Sequence, residues 1–446
     1  MKPTRALVAF FLLVSACGSR ETKSDGAGAT GGAAGTTASG GSGESGGSTS
    51  TGGSSGANSG VGGGGTGAGV GSGGDGLGGT AGAAGQGESG AAIGGGSGSG
   101  SGNGGGGGGG GGNGSGGGSG SGAGGSGGSL AEYRNPVIPG FHPDPSVCRV
   151  GDDYYLVTSS FEYFPGIPIF TSRDLVNWRQ IGHVLTRASQ DPLANVASSE
   201  GVFAPTIRYA NGTFYVVSSI VSGGDLFYVT ATDPAGSWSE PHWLNESVFG
   251  MDPSLFFDDD GKVYYTRHGD GEQGGIFQSE INLTTGQLAA APREIWGGTG
   301  GVWPEGPHLY KINGTYYLMI AEGGTSFDHM ETVARSSSPW GPFESFSGNP
   351  ILTHKGRTGN PIQATGHGDL VQTQNGSYWL VFLGIRPPDG SHHHLGRETF
   401  LAPVTFNAQN WPVVNGGNAI ALTQSTMGLP PVASPPAPTV RDDFTS

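Results

Sequence analysis

Along residues 131–446 the hydrophobic positions fall in short runs bounded by turn residues, with almost no helical periodicity, so the pattern predicts strands. Five of these runs share one signature: an Asn or Asp and Gly turn, an aromatic pair, then an apolar strand. They are Gly151-Asp152-Asp153-Tyr154-Tyr155-Leu156-Val157, Asn211-Gly212-Thr213-Phe214-Tyr215-Val216-Val217, Asp260-Gly261-Lys262-Val263-Tyr264-Tyr265, Asn313-Gly314-Thr315-Tyr316-Tyr317-Leu318-Met319 and Asn375-Gly376-Ser377-Tyr378-Trp379-Leu380-Val381. Asn-Gly and Asp-Gly favour two-residue type I′ hairpins, because both central positions take φ > 0. Counted from the first aromatic, the spacings are 60, 50, 52 and 62 residues. Most units carry a second strand that ends in a turn and a tryptophan: Trp178, Trp238, Trp340 and Trp411. Five units of several short strands each predict an all-β fold, a five-bladed β-propeller over 131–428. A large β-sandwich is the alternative, but sandwiches do not repeat at this period.

The repeat also supplies a register. Eight residues before each turn Asn or Asp stand Asp144, Phe203, Asp252, Glu305 and His367, each at the start of the strand that enters the turn. The first strand of a propeller blade lines the central channel, so these positions form a ring at one depth. Any single Asp-Pro is readily a turn or a cap. Three acids on one register are another matter, since like charges raise one another's pKa and are costly to gather. Paired carboxylates with separated pKa values are what glycoside hydrolysis needs.

Composition divides the chain. Of 93 glycines, 56 lie in residues 1–130, which leaves 37 for the rest. Residues 18–130 are Gly, Ser, Ala and Thr with hardly a large side chain, and are expected to be a disordered tether. Ahead of them, Lys2 and Arg5, an apolar Ala6 to Val14 and Val14-Ser15-Ala16-Cys17 read as a signal peptide over 1–17 with a lipobox, Cys17 being the acylated residue. The expected location is the bacterial cell envelope, lipid-anchored, with the outer membrane favoured in a Gram-negative cell by Gly18 after Cys17. The membrane is then a partner through the lipid alone. Residues 131–446 carry 16 basic and 30 acidic residues (20 − 4 and 35 − 5), a net of −14, which argues against nucleic acid as a partner. Cys148 stands alone in the folded part and reads as a small buried residue. Asp258-Asp259-Asp260-Gly261 lacks the spacing of a calcium loop and reads as a solvated turn. His392-His393-His394 cannot place three adjacent side chains on one ion while extended, and suits a polar loop lining a sugar pocket better.

Phe141-His142-Pro143-Asp144-Pro145-Ser146, Gly250-Met251-Asp252-Pro253-Ser254 and Trp303-Pro304-Glu305-Gly306-Pro307-His308 resemble the three acidic motifs of glycoside hydrolase family 43. The resemblance extends through Phe161–Gly166, Phe203–Arg208, Ala364–His367, Leu383–Arg386 and Gly396–Phe400, and favours the β-xylosidase and α-L-arabinofuranosidase branch. It implies Asp144 as the general base, Glu305 as the general acid and Asp252 as the group that raises the pKa of Glu305. It implies Arg386 on ring hydroxyls, Phe161, Phe203 and Trp303 as apolar walls of the sugar subsite, and His367 near the axis. No cofactor is required, although relatives sometimes hold a hydrated calcium beside the residue matching His367. The expected activity is exo-hydrolysis of terminal xylose or arabinose from xylan or arabinoxylan oligosaccharides, with inversion. The alternatives are a dominant α-L-arabinofuranosidase and a catalytically dead surface propeller that only binds carbohydrate. From Leu429 a Pro-rich spacer leads to Arg441-Asp442-Asp443-Phe444-Thr445-Ser446, which resembles the opening of the C-terminal β-sandwich common in that branch.

Overall fold

Five antiparallel sheets follow one another along the chain, each built from consecutive strands in sequence order. The computed structural model describes residues 131–432, apart from 191–192, 194–195, 222–224, 245–249 and 270–273. The signal segment with Cys17, the tether 18–130 and the stretch 433–446 that resembles a sandwich opening lie outside the described residues.

The first blade pairs Ser146–Val150, Asp153–Val157, Gly166–Ser172 and Arg179–Leu185. The other four begin with Thr206–Ala210, Met251–Phe257, Glu305–Ile312 and Gln363–Gln372. These five first strands touch one another in a closed cycle, first to second and so on to fifth and back to first. This is a five-bladed β-propeller, and the expected inner ring is its axis. Two segments that flank the five blades meet across the ring. Glu132–Arg134 pairs with Thr423–Ser425, and the Asn135 side chain both donates to Leu401 O (2.9 Å) and accepts from Leu401 N (2.9 Å) in the fifth blade.

The apolar side chains do not form one core. They form five clusters, each lodged between two neighbouring blades. Val157 and Val184 of the first blade meet Val216 and Val229 of the second, and Leu156 of the first meets Val381 of the fifth. The tryptophans that travel with the repeat lie in these seams. Trp340 meets Tyr264 of the preceding blade edge-on (5.6 Å), and Trp411 stacks on Phe346 of the preceding blade (4.7 Å) beneath the Arg335 guanidinium (4.0 Å). The repeat therefore encodes the glue between blades as well as the blades. Cys148 is buried in the first of these seams, as its isolation suggested.

Turn chemistry departs from expectation at two hairpins. Asn211-Gly212 and Asn313-Gly314 both have φ > 0 at each residue, as type I′ requires. At Gly261 and Gly376 only the glycine does, and Gly261 N donates to Asp258 O while Gly376 N donates to Thr373 O. These are longer loops, a type I turn closed by a left-handed glycine. Asp258 is also more than a solvated turn residue: its carboxylate accepts from Lys311 Nζ (2.8 Å) and Tyr316 Oη (2.6 Å) and so bolts the third blade to the fourth.

One layer along the axis from the ring, polar side chains from four first strands, two of them charged, meet. Asp369 accepts from Arg208 Nη1 (2.7 Å) and Nη2 (3.2 Å), Ser146 Oγ (2.6 Å), Val147 N (2.9 Å) and Tyr310 Oη (2.6 Å). Arg208 also donates to His308 Nδ1 (2.9 Å). Burial opposes charge on Asp369, yet Arg208 and these donors hold its carboxyl well below the usual carboxylate range. Burial pushes the His308 imidazole down to about 3, so it stays neutral and accepts from the guanidinium. Removing one partner of such a pair strands the other charge in the interior. Arg208→Met is expected to lower unfolding stability by about 3–5 kcal/mol, read from the urea unfolding midpoint. Arg173→Met, which breaks the exposed pair with Asp153 (2.8 Å), is expected to leave that midpoint nearly unchanged.

Candidate active site

The inner strands do not simply begin at the ring; they are bent there. The pairing register shifts between Met251 and Ser254, between Glu305 and His308, and on both sides of Gly366. These β-bulges turn a strand residue out of the ladder and toward the axis. Asp144 (φ 56°), Asp252 (φ 52°) and His367 (φ 54°) all adopt the left-handed conformation that side chains normally avoid, and Gly306 (φ 56°) takes it beside Glu305. Non-glycine residues held there cost on the order of 1–3 kcal/mol each and cluster where function over-determines them. Sequence reasoning placed the ring correctly but had no signal for the bulges that aim it.

Asp144, Asp252 and His367 are buried, and Glu305 is partly so. Asp144 accepts from Ser159 Oγ and from Arg397 Nη1 (2.9 Å), with His367 Nδ1 at 3.9 Å. Burial raises its pKa, but Arg397, His367 and the Ser159 hydroxyl together outweigh burial and hold the carboxyl below its ordinary value. Asp252 has no such cation. Burial pushes it up to about 6, with His367 opposing and the Asp144 charge adding; its Oδ2 accepts from Gly306 N (3.2 Å), next to Glu305. Glu305 is raised well above the usual glutamate value by burial, then by the charges of Asp252 and Asp144. Three carboxyls in one pocket thus have three different proton affinities.

The backbone that carries Glu305 is fixed from two sides. His268 Nδ1 donates to Pro304 O (2.7 Å). The buried Glu322 carboxylate gathers the preceding loop, accepting from Thr299 N (2.9 Å), Thr299 Oγ1 (2.8 Å), Gly301 N (2.8 Å) and Thr332 Oγ1 (2.6 Å). Both glycines of this loop nearest the carboxylate leave no room for a Cβ: one built on Gly298 or Gly301 would lie 2.8 Å from Glu322.

The expected aromatic wall is present in part. Phe161 packs edge-on to Phe203 (5.4 Å) and parallel to Phe141 (5.5 Å), with the Arg397 guanidinium 5.6 Å from its centroid. Trp303 lies apart from them, tilted on His268 (5.7 Å). Arg386 is not the arginine that meets the acids. It forms a two-bond pair with Glu398 (Nε–Oε2 2.7 Å, Nη2–Oε1 2.9 Å), and Glu398 also accepts from Gly140 N (3.0 Å). Arg397, in the Gly396–Phe400 motif and given no role there, is the one on Asp144. It neighbours Glu398, the partner of Arg386, and the two face opposite sides of one strand. His329, also missed, is buried beside His367 and Gly366, with a pKa pushed down to about 3 by burial and neither ring nitrogen bonded to a described residue. Among the described residues no three ligand side chains converge on His367, so a calcium there, which takes six to eight oxygen ligands, would have to be held largely through water.

The chain has known counterparts in both sequence and fold. The sequence profile of Glycosyl hydrolases family 43 matches residues 133–412. A non-reducing end alpha-L-arabinofuranosidase of Bacteroides ovatus is 49% identical over 322 residues, 71% of this chain and 60% of that protein. A xylosidase/arabinosidase of Butyrivibrio fibrisolvens is 48% identical over 325 residues, 70% of this chain and 62% of that protein. The crystal structure of a xylan beta-1,4-xylosidase of Bacillus halodurans superposes with a TM-score of 0.65 at 39% identity, covering 70% of this chain and 62% of that one. The chain thus spans about three-fifths of the length of these relatives. By the profile match and by the fold, it belongs to glycosyl hydrolase family 43.

Proposed function

We propose that the protein is an exo-acting glycoside hydrolase that removes terminal xylose or arabinose from xylan or arabinoxylan oligosaccharides with inversion at the anomeric carbon. The observation that carries this reading is the split within one pocket: Arg397 bonds Asp144 (2.9 Å) and favours its charged form, while burial and two neighbouring acids favour the protonated form of Glu305. An ionised base and a protonated acid are the resting state an inverting hydrolase requires. Asp144 takes a proton from water as its oxygen attacks the anomeric carbon. Glu305 delivers its proton to the departing glycosidic oxygen as that bond breaks. Asp252 raises the pKa of Glu305 and anchors Gly306 beside it. Phe161, Phe203 and Trp303 provide apolar surface for the sugar, His367 stands over Asp144, and Arg386 reaches a rim hydroxyl from its pair with Glu398. No step runs through a metal. A dominant α-L-arabinofuranosidase activity is the second reading, favoured by the printed activity of the Bacteroides ovatus relative.

Incubation with xylobiose, arabinoxylan oligosaccharides and aryl pentosides, followed by proton NMR from the first minutes, is expected to show a free pentose of inverted configuration. Release of no pentose from any of them overturns the hydrolase reading, and retention overturns the mechanism. The two carboxyls should separate by leaving group. Glu305→Ala is expected to lose about 10²–10⁴-fold on xylobiose and far less on a nitrophenyl pentoside, whose oxygen leaves without a proton. Asp144→Ala should fail on both, since water needs activation in either case. In Asp252→Asn the basic limb of the pH profile should move to lower pH, because Glu305 loses a charge that raises its pKa. Asp252 itself titrates near 6, so the difference from wild type should grow above that pH.

Location follows from the sequence alone. We propose that Cys17 is acylated and anchors the protein outside the cytoplasmic membrane. Cys17→Ala should move the protein from the membrane fraction to the soluble one; equal retention in both would exclude the lipid anchor.

A further inference from the structure

We propose that Asp389, His392 and His394 form a binding site for a borderline divalent cation of the Zn²⁺ type, on the surface loop that joins Arg386 to Arg397. The loop arrangement that sequence reasoning judged unsuited to a metal solves the problem by skipping the middle histidine. His392 precedes a tight turn, closed by Gly396 N donating to His393 O (2.9 Å), and His394 lies in it; their rings lie 5.7 Å apart and nearly parallel (22°). Asp389 comes in from the preceding turn. Its Oδ1 accepts from Ser391 N (2.9 Å) and His392 N (2.7 Å), which fixes the carboxylate and leaves Oδ2 facing the two rings.

The three facing atoms, Asp389 Oδ2, His392 Nδ1 and His394 Nε2, all lie within 4.8 Å of one another. Oδ2 is 2.7 Å from His392 Nδ1 and 3.9 Å from His394 Nε2. Ligands about 2.0–2.1 Å from a tetrahedral zinc sit about 3.3 Å apart, so the observed pair of distances straddles what an ion would impose. The nearest competing group is Ser391 Oγ, 2.9 Å from His392 Nδ1. Two imidazoles and one carboxylate select zinc, nickel or copper over calcium and magnesium, which prefer all-oxygen sets. Three protein ligands leave a fourth position for water. All three side chains are exposed, so an ion enters without opening the fold. Binding replaces the contact between His392 Nδ1 and Asp389 Oδ2 (2.7 Å) with a bond from each to the ion.

The loop's position gives the site a consequence. It leaves the fifth blade at Arg386, which pairs with Glu398, and returns at Arg397, which pairs with Asp144. Just before Arg397, a Cβ on Gly396 would lie 2.7 Å from Phe141, the ring stacked on Phe161. An ion that cross-links the loop therefore stiffens the segment between two arginines of the active site.

The test uses the full chain stripped with a chelator and titrated with Zn²⁺ by calorimetry, with Co²⁺ absorption as a spectroscopic probe. Wild type and His393→Ala are expected to bind one equivalent with the same affinity, and Co²⁺ to give the spectrum of a low-coordinate nitrogen and oxygen site. Asp389→Ala and His394→Ala should each weaken binding by about 100-fold or more, since loss of even an outer partner of a metal site costs 10–100-fold. Circular dichroism of each variant separates loss of the site from loss of the fold. No binding by wild type, equal binding by all four proteins, or equal loss in His393→Ala would each overturn the proposal. These readouts do not involve hydrolysis, so they stand or fall apart from the proposed activity.

Discussion

The guanidinium of Arg397, 2.9 Å from Asp144, governs the charge of the whole pocket. Burial drives every carboxyl toward its neutral form, and three close together drive one another further. Without a cation the group would have no reason to keep a single ionised member. With Arg397 on one side and Ser159 and His367 on others, Asp144 takes that part. Once it is charged, Asp144 adds to the burial that pushes Asp252 and Glu305 up, and Asp252 adds again to Glu305. One ion pair therefore helps give three chemically similar groups different proton affinities. The same guanidinium rests over Phe161, so the charge distribution and the apolar wall are held by one side chain.

Much of this was legible in the chain because its determinants are local and repeated. The turn glycines, aromatic pairs and following strands need only neighbouring residues to be recognised, and counting back from each turn brought Asp144, Asp252, Glu305 and His367 to one ring. The seam tryptophans, such as Trp340 against Tyr264, follow from the same period. What escaped depends on pairing between strands. The bulges at Asp252, Glu305 and Gly366 exist only relative to a partner strand, and nothing in Met-Asp-Pro-Ser announces them. The role of Arg397 on Asp144 depends on which face of the last blade it occupies, which its motif does not show. Asp389 joins His392 and His394 through a side chain that caps its own turn, which a search for histidine spacing does not find.

The turn at Asp258 shows the same limit at smaller scale. An acidic run ending in glycine reads as solvated, and Asp259 and Asp260 are indeed exposed. Asp258 points the other way and bonds Lys311 and Tyr316 of the next blade, a contact between residues 53 and 58 positions apart. Such cross-blade bonds accompany the apolar seams and fix the rotation of one blade on the next. The depth at which five side chains meet depends on that rotation.

The network of Arg208, Asp369, His308 and Tyr310 fills the axis one layer from the acids, where a propeller could have kept an open bore. Its effect is to turn a tunnel into a cul-de-sac. A polymer cannot thread the axis past the acids, and whatever reaches them comes from the side away from this network. Under the proposed hydrolysis, both products then leave by the side from which the substrate came.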